Sequence, residues 1–373
     1  MRHIILLFAL LLCIPPRAQQ TFRGHVIDAA TGEALPYVSI YISKNNGVMT
    51  NEEGDFVIHA KPGDTLLFSR IGYEKLRIAA AQMHGRVSMK PLSEMLRSVT
   101  VTPLTTEEII KRTLARLKKE YKKEKRATSL FFFRSTITSF VKSRIQEGFM
   151  RARSANNLRE LTVVSGKRLT EGEGGEESYM HSTNIHKLLE LGAWIKDSQF
   201  WSLSVTPLDD YKRYDCSHIT MEGEDGQLLY KIEFPYLERT ALTDNERQAI
   251  IGSLYVDAVT FQMKRFDGCV LGLFLRSFHN PLPVDLYFDI EYKHDNGFTE
   301  VSHISIHGAS EETKYHALLF NLSLDEESKR NTKKKAGENL LDAIGKAGFA
   351  PELWTQDVIL RTEEEERIFM KGM

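Results

Sequence analysis

The segment from residue 21 to residue 102 alternates short runs of strand-like pattern with turn-forming residues. This spacing restricts the segment to a few fold classes. The runs are TFRGHVI, YVSIYI, DFVIHA, TLLFSR, EKLRIA, RVSMK and SVTVT. Between them lie turn signals such as Asn45–Gly47 and Lys61–Asp64. Val38 and Ile40 share one face of their run, as side chains alternate along a strand. Short strands at this spacing predict a β-sandwich.

The acidic stretch GVMTNEEGDFVI (47–58) lies between two of these strands. Its acids could bind a cation, carry catalytic carboxylates or only turn the chain. Gly47 and Gly54 supply backbone freedom, and Asn51 and Asp55 can accept hydrogen bonds from the nearby backbone. We therefore expect a turn here, with Phe56 beginning the next strand.

The first 18 residues have the form of a secretory signal peptide. Arg2 precedes the apolar run Ile4–Ile14, and Ala18 offers a small residue for cleavage. Cys13 raises the question of a lipoprotein, but the residue before it is Leu12, whereas a lipoprotein signal normally has a small residue there. We therefore predict export after cleavage at Ala18, with a lipoprotein as the less favoured alternative.

The composition limits the partners of the mature chain. The 373 residues are 42% hydrophobic and carry a formal net charge of −1. That apolar content allows more than one core, and the charge balance gives no field that would attract nucleic acid. No later run is apolar over the length of a bilayer. We predict a mature chain that is soluble or peripheral and does not bind nucleic acid.

Residues 104–127 change to helical periodicity. Ile110, Leu114 and Leu117 recur on one face, and Thr105 with Glu108 forms a capping-box pattern. The other faces are rich in Lys and Arg, which could touch membrane headgroups or an acidic partner. We favour a solvated face on which Glu107, Glu120 and Glu124 are interleaved with the basic residues.

Residues 128–373 again have sequence patterns typical of β-strands, with a few short helical segments. They predict a larger β-rich α+β domain. Strand candidates include SLFFFRSTITSF (129–140), GSLYVDAVTFQMKRFD (252–267) and PVDLYFDIEYKH (283–294). Glu171–Glu177 is an acidic glycine run that we expect to be a mobile loop. After signal cleavage Cys216 and Cys269 remain, and the sequence leaves open whether they form a disulfide or stay free.

Motifs that carry chemistry are missing from this sequence. It has no zinc-peptidase motif, no G-x-S-x-G around Ser165 or elsewhere, and no phosphate-binding glycine loop. His303 and His307 would lie about 13 Å apart along one strand, too far for one metal ion, and we expect both to be exposed. His186 and Glu190 fit one helix face but lack a third ligand. We predict no catalytic, cofactor-binding or metal-ligating residues.

A family resemblance rests on many positions of the first segment. They are Gly24, Val26, Asp28, Thr31–Pro36, Val38, Ile40, Gly47, Thr50, Asn51, Gly54, Phe56, Gly63, Asp64, Leu66, Phe68, Ser69, Ile71, Gly72 and Tyr73. In this order they resemble the carboxypeptidase regulatory-like domain, with Asn51 where Asp is usual. The resemblance implies a transthyretin-like, Ig-like β-sandwich that is appended to metallocarboxypeptidases or precedes TonB-dependent receptors. It also implies that this domain holds no catalytic residues.

The rest of the chain resembles, more loosely, secreted Gram-negative proteins of unknown function. The basic helix followed by LFFFRS is similar to their helix and strand, with Ser135 where Glu is usual. The run at 252–267 is similar to a repeat in curved half-barrel carriers of lipoproteins. That second likeness makes an apolar groove in this domain conceivable, whereas we favour a filled core; the sequence leaves the two open.

These observations predict a mainly β protein with four parts: a signal peptide (1–18), a regulatory-like sandwich (19–103), a linking amphipathic basic helix (104–127) and the β-rich domain (128–373). The leading hypothesis is a secreted, non-catalytic cell-envelope protein of the periplasm or outer membrane. It would act in binding or assembly with an envelope protein or outer-membrane component. The rival is a periplasmic carrier that holds a lipid or other apolar ligand in the second domain, and the third hypothesis is a hydrolase.

Overall fold

The computed structural model describes residues 19–43, 46–92, 104–123, 128–139, 143–153, 159–171, 211–223, 226–235, 249–276, 281–295, 298–309, 313–324, 340–354 and 358–371. The predicted signal peptide, His186, Glu190 and most of the acidic glycine run lie outside these residues. The chain divides into two compact units. The first contains Met1–Arg70, Lys75–Lys90 and Gln356–Leu360, and the second contains Ile71–Glu74, Pro91–Thr355 and Arg361–Met373.

The first unit is the predicted sandwich. Its strands are β1 (Gln20–Asp28), β2 (Ser39–Ser43), β3 (Asn46–Met49), β4 (Asp55–Ala60), β5 (Thr65–Ser69), β6 (Leu76–Ala79) and β7 (Arg86–Met89). One sheet has the order β4-β1-β7, and β1 pairs in parallel with β7. The other sheet has the order β3-β2-β5-β6 and is antiparallel. The predicted run at 98–102 lies outside the described residues.

The core of the first unit comes from the inward-facing residues of both sheets. Phe56 of β4 meets Phe68 of β5 edge to face, with ring centroids 5.6 Å apart. Val26, Ile40 and Ile58 are fully buried beside them. Alternation in the sequence places these apolar side chains on the inner faces of the sheets. Burying each of them there stabilises the fold by about 1.5–3 kcal/mol.

The first unit also takes in a segment from the far end of the chain. The backbone N–H of Met49 donates to the carbonyl oxygen of Val358 at 3.1 Å, and Met49 forms a parallel bridge with Ile359. Ile359 is only 1% exposed. Residues near the C-terminus therefore contribute both a backbone hydrogen bond and an apolar side chain to the N-terminal sandwich.

The second unit is built on one ten-stranded sheet. The strands are β8 (Thr128–Ser139), β9 (Ser143–Arg153), β10 (Arg159–Glu171), β11 (Ser217–Glu222), β12 (Leu228–Phe234), β13 (Ala249–Asp257), β14 (Met263–Arg276), β15 (Pro281–Asp295), β16 (Phe298–Ala309) and β17 (Thr313–Leu324). Their order is β10-β9-β8-β17-β16-β15-β14-β13-β12-β11. Every neighbouring pair is antiparallel.

Helix α1 (Thr106–Lys123) covers one face of this sheet, which we term the helix-bearing face. Ile109, Ile110 and Leu117 are buried in the same apolar cluster as strand residues such as Phe266 and Ile304. The predicted capping box is present: Thr105 N–H donates to Glu108 Oε2 at 2.9 Å, and Glu108 N–H donates to Thr105 Oγ1 at 3.3 Å. These contacts fix where the helix begins and which side of it meets the sheet.

Glu120 of α1 does not lie on the solvated face where we expected it. Its side chain accepts hydrogen bonds from Thr299 N–H at 3.0 Å, from Gln262 Nε2 at 3.2 Å and from Arg116 Nε. Burial opposes the charged form, but the hydrogen bonds from Thr299 and Arg116 outweigh it and lower the pKa of Glu120. The carboxylate thus ties the helix to β16 and to the turn before β14. Lys111 and Arg112 are exposed as expected.

Helix α2 (Leu340–Lys346) packs against strands β9 and β10, where a glycine makes room for it. A Cβ atom built on Gly166 would lie 2.1 Å from the carbonyl oxygen of Ile344. Backbone can approach that closely only at a residue without a side chain. Gly166 therefore sets the distance between the sheet and this helix.

The C-terminal helix α3 (Glu363–Lys371) is attached through a buried ion cluster formed by Arg134, Glu147, Arg361 and Glu365. Arg134 Nε donates to Glu147 Oε1 at 2.8 Å and Arg134 Nη1 to Glu365 Oε2 at 3.2 Å. Arg361 Nη2 donates to Glu147 Oε2 at 2.6 Å. Two positive and two negative groups balance, which is what lets charges stay away from water.

Within the described residues, no helix combines the length and the apolar character needed to cross a bilayer.

Candidate functional site

The register of the sheet gathers polar side chains on the face opposite α1. Asp267, Asp289 and Ser305 are direct partners across β14, β15 and β16, and Arg265, Glu291 and His303 form the next row. Direct partners point to the same side of a sheet. The residues between them, such as Phe266, Ile290 and Ile304, lie in the core with α1. We term Tyr255, Arg265, Asp267, Asp289 and Glu291 the polar grid.

Arg265 is at the centre of the polar grid. Its Nε donates to Asp289 Oδ1 at 3.0 Å and its Nη2 donates to Asp289 Oδ2 at 2.6 Å, a bidentate pair. Burial disfavours its charge, but the carboxylates of Asp289, Asp267 and Glu291 outweigh that effect and raise the pKa of Arg265. Arg265 is therefore a fixed positive charge that holds Asp289 in one orientation.

Asp267 is the least satisfied carboxylate of the polar grid. Among the described residues no hydrogen bond reaches its buried Oδ1, which lies 3.7 Å from Arg265 Nε. Its side chain is 34% exposed. Burial raises the pKa of Asp267, and the nearby Arg265 opposes that shift only in part. The buried Oδ1 thus favours the protonated form, while the exposed part of the Asp267 side chain can be reached by a ligand.

A short loop of the second unit, Ile71–Glu74, occupies one side of the polar grid. The backbone N–H of Ile71 donates to Glu291 Oε1 at 3.0 Å, and Arg265 Nη1 donates to the carbonyl oxygen of Ile71 at 3.3 Å. Arg265 and Glu291 are therefore partly engaged, and the part of the grid around Asp267 remains accessible.

The accessible part continues at both ends of the grid. On one side, Ser253 Oγ donates to Glu233 Oε2 at 2.8 Å, and Lys231 lies 2.9 Å from Glu233. On the other side, the ring of Tyr287 is 50% exposed and stacks on the ring of His307 with centroids 5.4 Å apart. Charged groups, a hydroxyl and an exposed aromatic ring thus share one rigid surface.

The structure separates the two histidines that we expected to be exposed. His307 is exposed, but the expectation is wrong for His303, which is 1% exposed. His303 lies between Glu291 and Phe320 in the register, and both neighbours are buried. Its Nδ1 is 3.9 Å from Glu291 Oε2. Its partners come from other strands, so its own strand pattern did not reveal them.

Other candidate residues have structural roles. Ser165 Oγ accepts hydrogen bonds from Ala350 N–H at 3.0 Å and Trp354 Nε1 at 2.9 Å, which is not the setting of a nucleophile. Cys216 and Cys269 are free thiols rather than a disulfide. Burial raises the pKa of Cys216 to about 11, so it is a poor nucleophile. Across the described residues, no group of three or more His, Cys, Asp or Glu is arranged to hold a metal ion.

The helix-bearing face tests the alternative of an apolar groove. Ile109 and Ile110 of α1 and Phe131 and Phe133 of β8 are fully buried in one cluster. In the described part of the domain this face is a filled core. The side chains of residues 270–286 are not among those described. This segment includes much of the aromatic sequence that suggested the carrier hypothesis.

The acidic stretch of the first unit forms the expected turn. Asn51 Oδ1 accepts hydrogen bonds from Glu53 N–H at 3.0 Å and Asp55 N–H at 2.8 Å. Gly54 has a φ of +79° there, a conformation that glycine adopts readily. Because its side chain accepts these two bonds, Asn51 acts as a local cap for the backbone of the turn. The side chain of Asp55 contacts His25 Nδ1 at 2.9 Å.

The sequence matches the family model described as the CarboxypepD_reg-like domain. Residues 22–101 match it. This confirms the predicted carboxypeptidase regulatory-like domain, which covers the strands β1–β7 and the Asn51 turn. A comparison with curated proteins finds no significant match.

Three solved structures are among those that show a partial likeness to this chain. A putative outer membrane lipoprotein-sorting protein domain from Vibrio parahaemolyticus is 10% identical with a TM-score of 0.27, covering 60% of this chain and 94% of its own. A DUF1329 family protein from Desulfovibrio piger is 13% identical with a TM-score of 0.24, covering 58% and 93%. MucB in complex with MucA(peri) is 7% identical with a TM-score of 0.18, covering 60% and 94%. At these scores the likeness supports no conclusion.

The polar grid lies outside the regulatory-like domain and was missed in the sequence. A signal for it was present: charged residues alternate with apolar ones in Arg265-Phe-Asp267 and again in Asp289-Ile-Glu291. Period-two alternation predicts that the charged residues of each strand share a face. Which strands are neighbours could not be inferred from either segment.

Proposed function

We propose that this protein is an exported, non-catalytic binding protein of the cell envelope. The first 18 residues have the form of a signal peptide, and the regulatory-like domain is a module without catalytic residues in the proteins it resembles. The partner would be an envelope protein or another outer-membrane component, met in the periplasm or at the outer membrane.

The observation that supports this proposal most is the accessible end of the polar grid. Asp267 exposes 34% of its side chain, and Tyr287 presents half of its surface to solvent. Both are held on a continuous antiparallel sheet, so little conformational entropy would be lost on binding. Partly exposed aromatic and charged groups on a rigid support are typical of a surface that recognises a polar partner.

Site-specific photo-crosslinking in cells tests this proposal. A photoreactive residue at position 287 should give a discrete adduct in the envelope fraction. The same residue at position 259 is the matched control, because Val259 is 82% exposed but lies in a turn away from the grid. Equal labelling at both positions, or a protein that fractionates with the cytoplasm, would contradict the proposal.

A hydrolase is the second candidate, and one observation favours it. Asp267 and Asp289 are direct cross-strand partners; burial raises the pKa of Asp267, while Asp289 is paired with Arg265. Carboxyl groups in different environments can divide the roles of acid and base. However, both oxygens of Asp289 already accept hydrogen bonds from Arg265.

An activity screen separates the two candidates. The purified mature chain and Asp267→Asn would be incubated with generic peptidase, esterase and glycosidase substrates. The binding proposal expects no turnover by either protein. Turnover by the wild-type chain that Asp267→Asn loses would establish the hydrolase instead.

A further inference from the structure

The sheet of the second unit brings together two histidines that lie on different strands. His307 of β16 and His316 of β17 are direct partners in the antiparallel register. The neighbours Ile306, Tyr315 and Ala317 are buried in the core with α1. Both imidazoles therefore lie on the opposite face of the sheet, with Cβ atoms about 4.5–5.5 Å apart.

This spacing suits chelation of one ion by two imidazoles. Two nitrogens bound at about 2.0–2.1 Å from a metal ion lie roughly 3 Å apart, and two imidazoles whose Cβ atoms are about 5 Å apart can reach that separation by side-chain rotation. Along one strand, His303 and His307 are too far apart for one ion. The register supplies the pair that the linear pattern could not.

The position of the pair leaves it open to solvent ions. His307 is exposed and His316 is half-buried. The exposed ring of Tyr287, the partner of His307 on β15, stacks on the His307 ring at an interplanar angle of 15°. On the far side, the hydroxyl of Thr136, the partner of His316 on β8, donates to Glu365 at 2.7 Å. Thr136 and Glu365 are thus engaged with each other.

We propose that His307 and His316 form a two-histidine site for a late first-row divalent cation. Imidazole nitrogen suits Cu²⁺, Ni²⁺ and Zn²⁺, whereas Mg²⁺ and Ca²⁺ require oxygen ligands. With two protein ligands, water fills the remaining positions. Such a site differs from structural zinc sites, which have four protein ligands, and from catalytic ones, which have three. It would bind and release its ion readily.

Metal titration of the untagged, mature full-length chain tests this site. Ni²⁺ and Zn²⁺ would be titrated in competition with a chromophoric chelator, which reports affinity and stoichiometry. We expect one ion per chain, and His307→Gln and His316→Gln should each weaken the affinity at least about tenfold, the scale of effect known for residues that support a metal site. His84→Gln is the matched control, because His84 is exposed in the first unit.

The double variant distinguishes chelation from two independent histidines. If one ion bridges both rings, the double variant should bind about as weakly as either single variant. Affinity that is unchanged in both single variants, or lowered in only one of them, would overturn the proposal. Unfolding curves recorded without metal should coincide for all variants, so a lost site is not confused with a lost fold. The binding role proposed above is independent of this result.

Discussion

At the scale of single residues, burial decides the charge of His294. Its Nε2 donates to the carbonyl oxygen of Met263 at 3.0 Å, so the neutral ring keeps Nδ1 as an acceptor for the Thr299 hydroxyl at 3.3 Å. Burial, with a smaller effect from Lys264, lowers the pKa of His294 from 6.5 to about 4. The folded chain therefore holds this histidine neutral in mildly acidic solution, where the unfolded chain protonates it.

This difference makes stability depend on pH in a definite direction. The contribution of His294 is fully present above pH 6.5 and is lost as the pH falls toward about 4. Between pH 7.5 and 4.5, urea unfolding of the wild-type chain should show an extra loss of about 2–3 kcal/mol that His294→Gln lacks. His84→Gln, an exposed control, should keep the wild-type pH dependence. The same pH dependence in His294→Gln would contradict this account.

Residue environments were predictable only where the partners are local. The turn at Asn51 was predicted from the residues next to it, and the structure confirms it, with Asn51 Oδ1 accepting from the N–H groups of Glu53 and Asp55. Glu120 and His303 were assigned to solvent because charged and polar side chains usually lie there. Glu120 is instead bonded to Thr299, and His303 lies beside Glu291. Those partners lie on other elements, and the local pattern around Glu120 or His303 does not report them.

At the scale of elements, the buried ion cluster connects α3 to strands β8 and β9. Removing one charge from such a cluster leaves the opposite charge buried without compensation. Arg134→Met should therefore lower the free energy of unfolding by about 3–5 kcal/mol, because Glu147 and Glu365 would both lose a hydrogen-bonded partner. Urea unfolding followed by circular dichroism measures this loss.

A matched arginine controls for the loss of a side chain as such. Arg77 of β6 is exposed, and Arg77→Met should change the free energy of unfolding by less than about 0.5 kcal/mol. If Arg134→Met were equally mild, water or a shift of Arg361 would have to satisfy the two glutamates, and the cluster would not hold the helix.

Most elements could be inferred from sequence, and so could the antiparallel pairing of consecutive strands in the second domain, but the pairing of distant strands could not. The predicted basic helix is present at Thr106–Lys123, and the run at 252–267 is two strands, β13 and β14, joined by a turn. The order of the sheet places β8 beside β17, far apart in the chain. Periodicity reports which face of a strand is buried; it carries no information on which strand lies next to it.

At the scale of the whole molecule, the first unit is assembled from both ends of the chain. Ile359→Ala removes a side chain that is fully packed in that unit and should destabilise it by about 2–5 kcal/mol. Hydrogen exchange is the direct measurement, because the Met49 amide donates to Val358. Exchange at Met49 should become faster in the variant.

An exposed residue of the same C-terminal region provides the comparison. Met370 is 68% exposed, and Met370→Ala should leave exchange at Met49 unchanged. Protection that is the same in Ile359→Ala and the wild-type chain would mean that the C-terminal segment only rests against the sandwich.

The mainly β class and the identity of the first domain were accessible from sequence for a physical reason. The regulatory-like domain has turn residues at fixed places between short strands, and each turn leaves its own signal in the sequence. In the ten-stranded sheet most neighbouring strands are also consecutive in the chain, but β8 pairs with the distant β17. The polar grid arises only once β13, β14 and β15 are adjacent in one register. Its chemistry is a property of the assembled sheet.

The docking of Gln356–Leu360 also sets an order in time. A ribosome reaches this segment about 270 residues after β7 ends, a delay of roughly 13–54 s at about 5–20 residues per second. An N-terminal domain commonly folds while the rest of the chain is still being made. Here the hydrogen bond from Met49 to Val358 and the packing of Ile359 can form only after almost all of the chain has been made, so the first unit is completed late in synthesis.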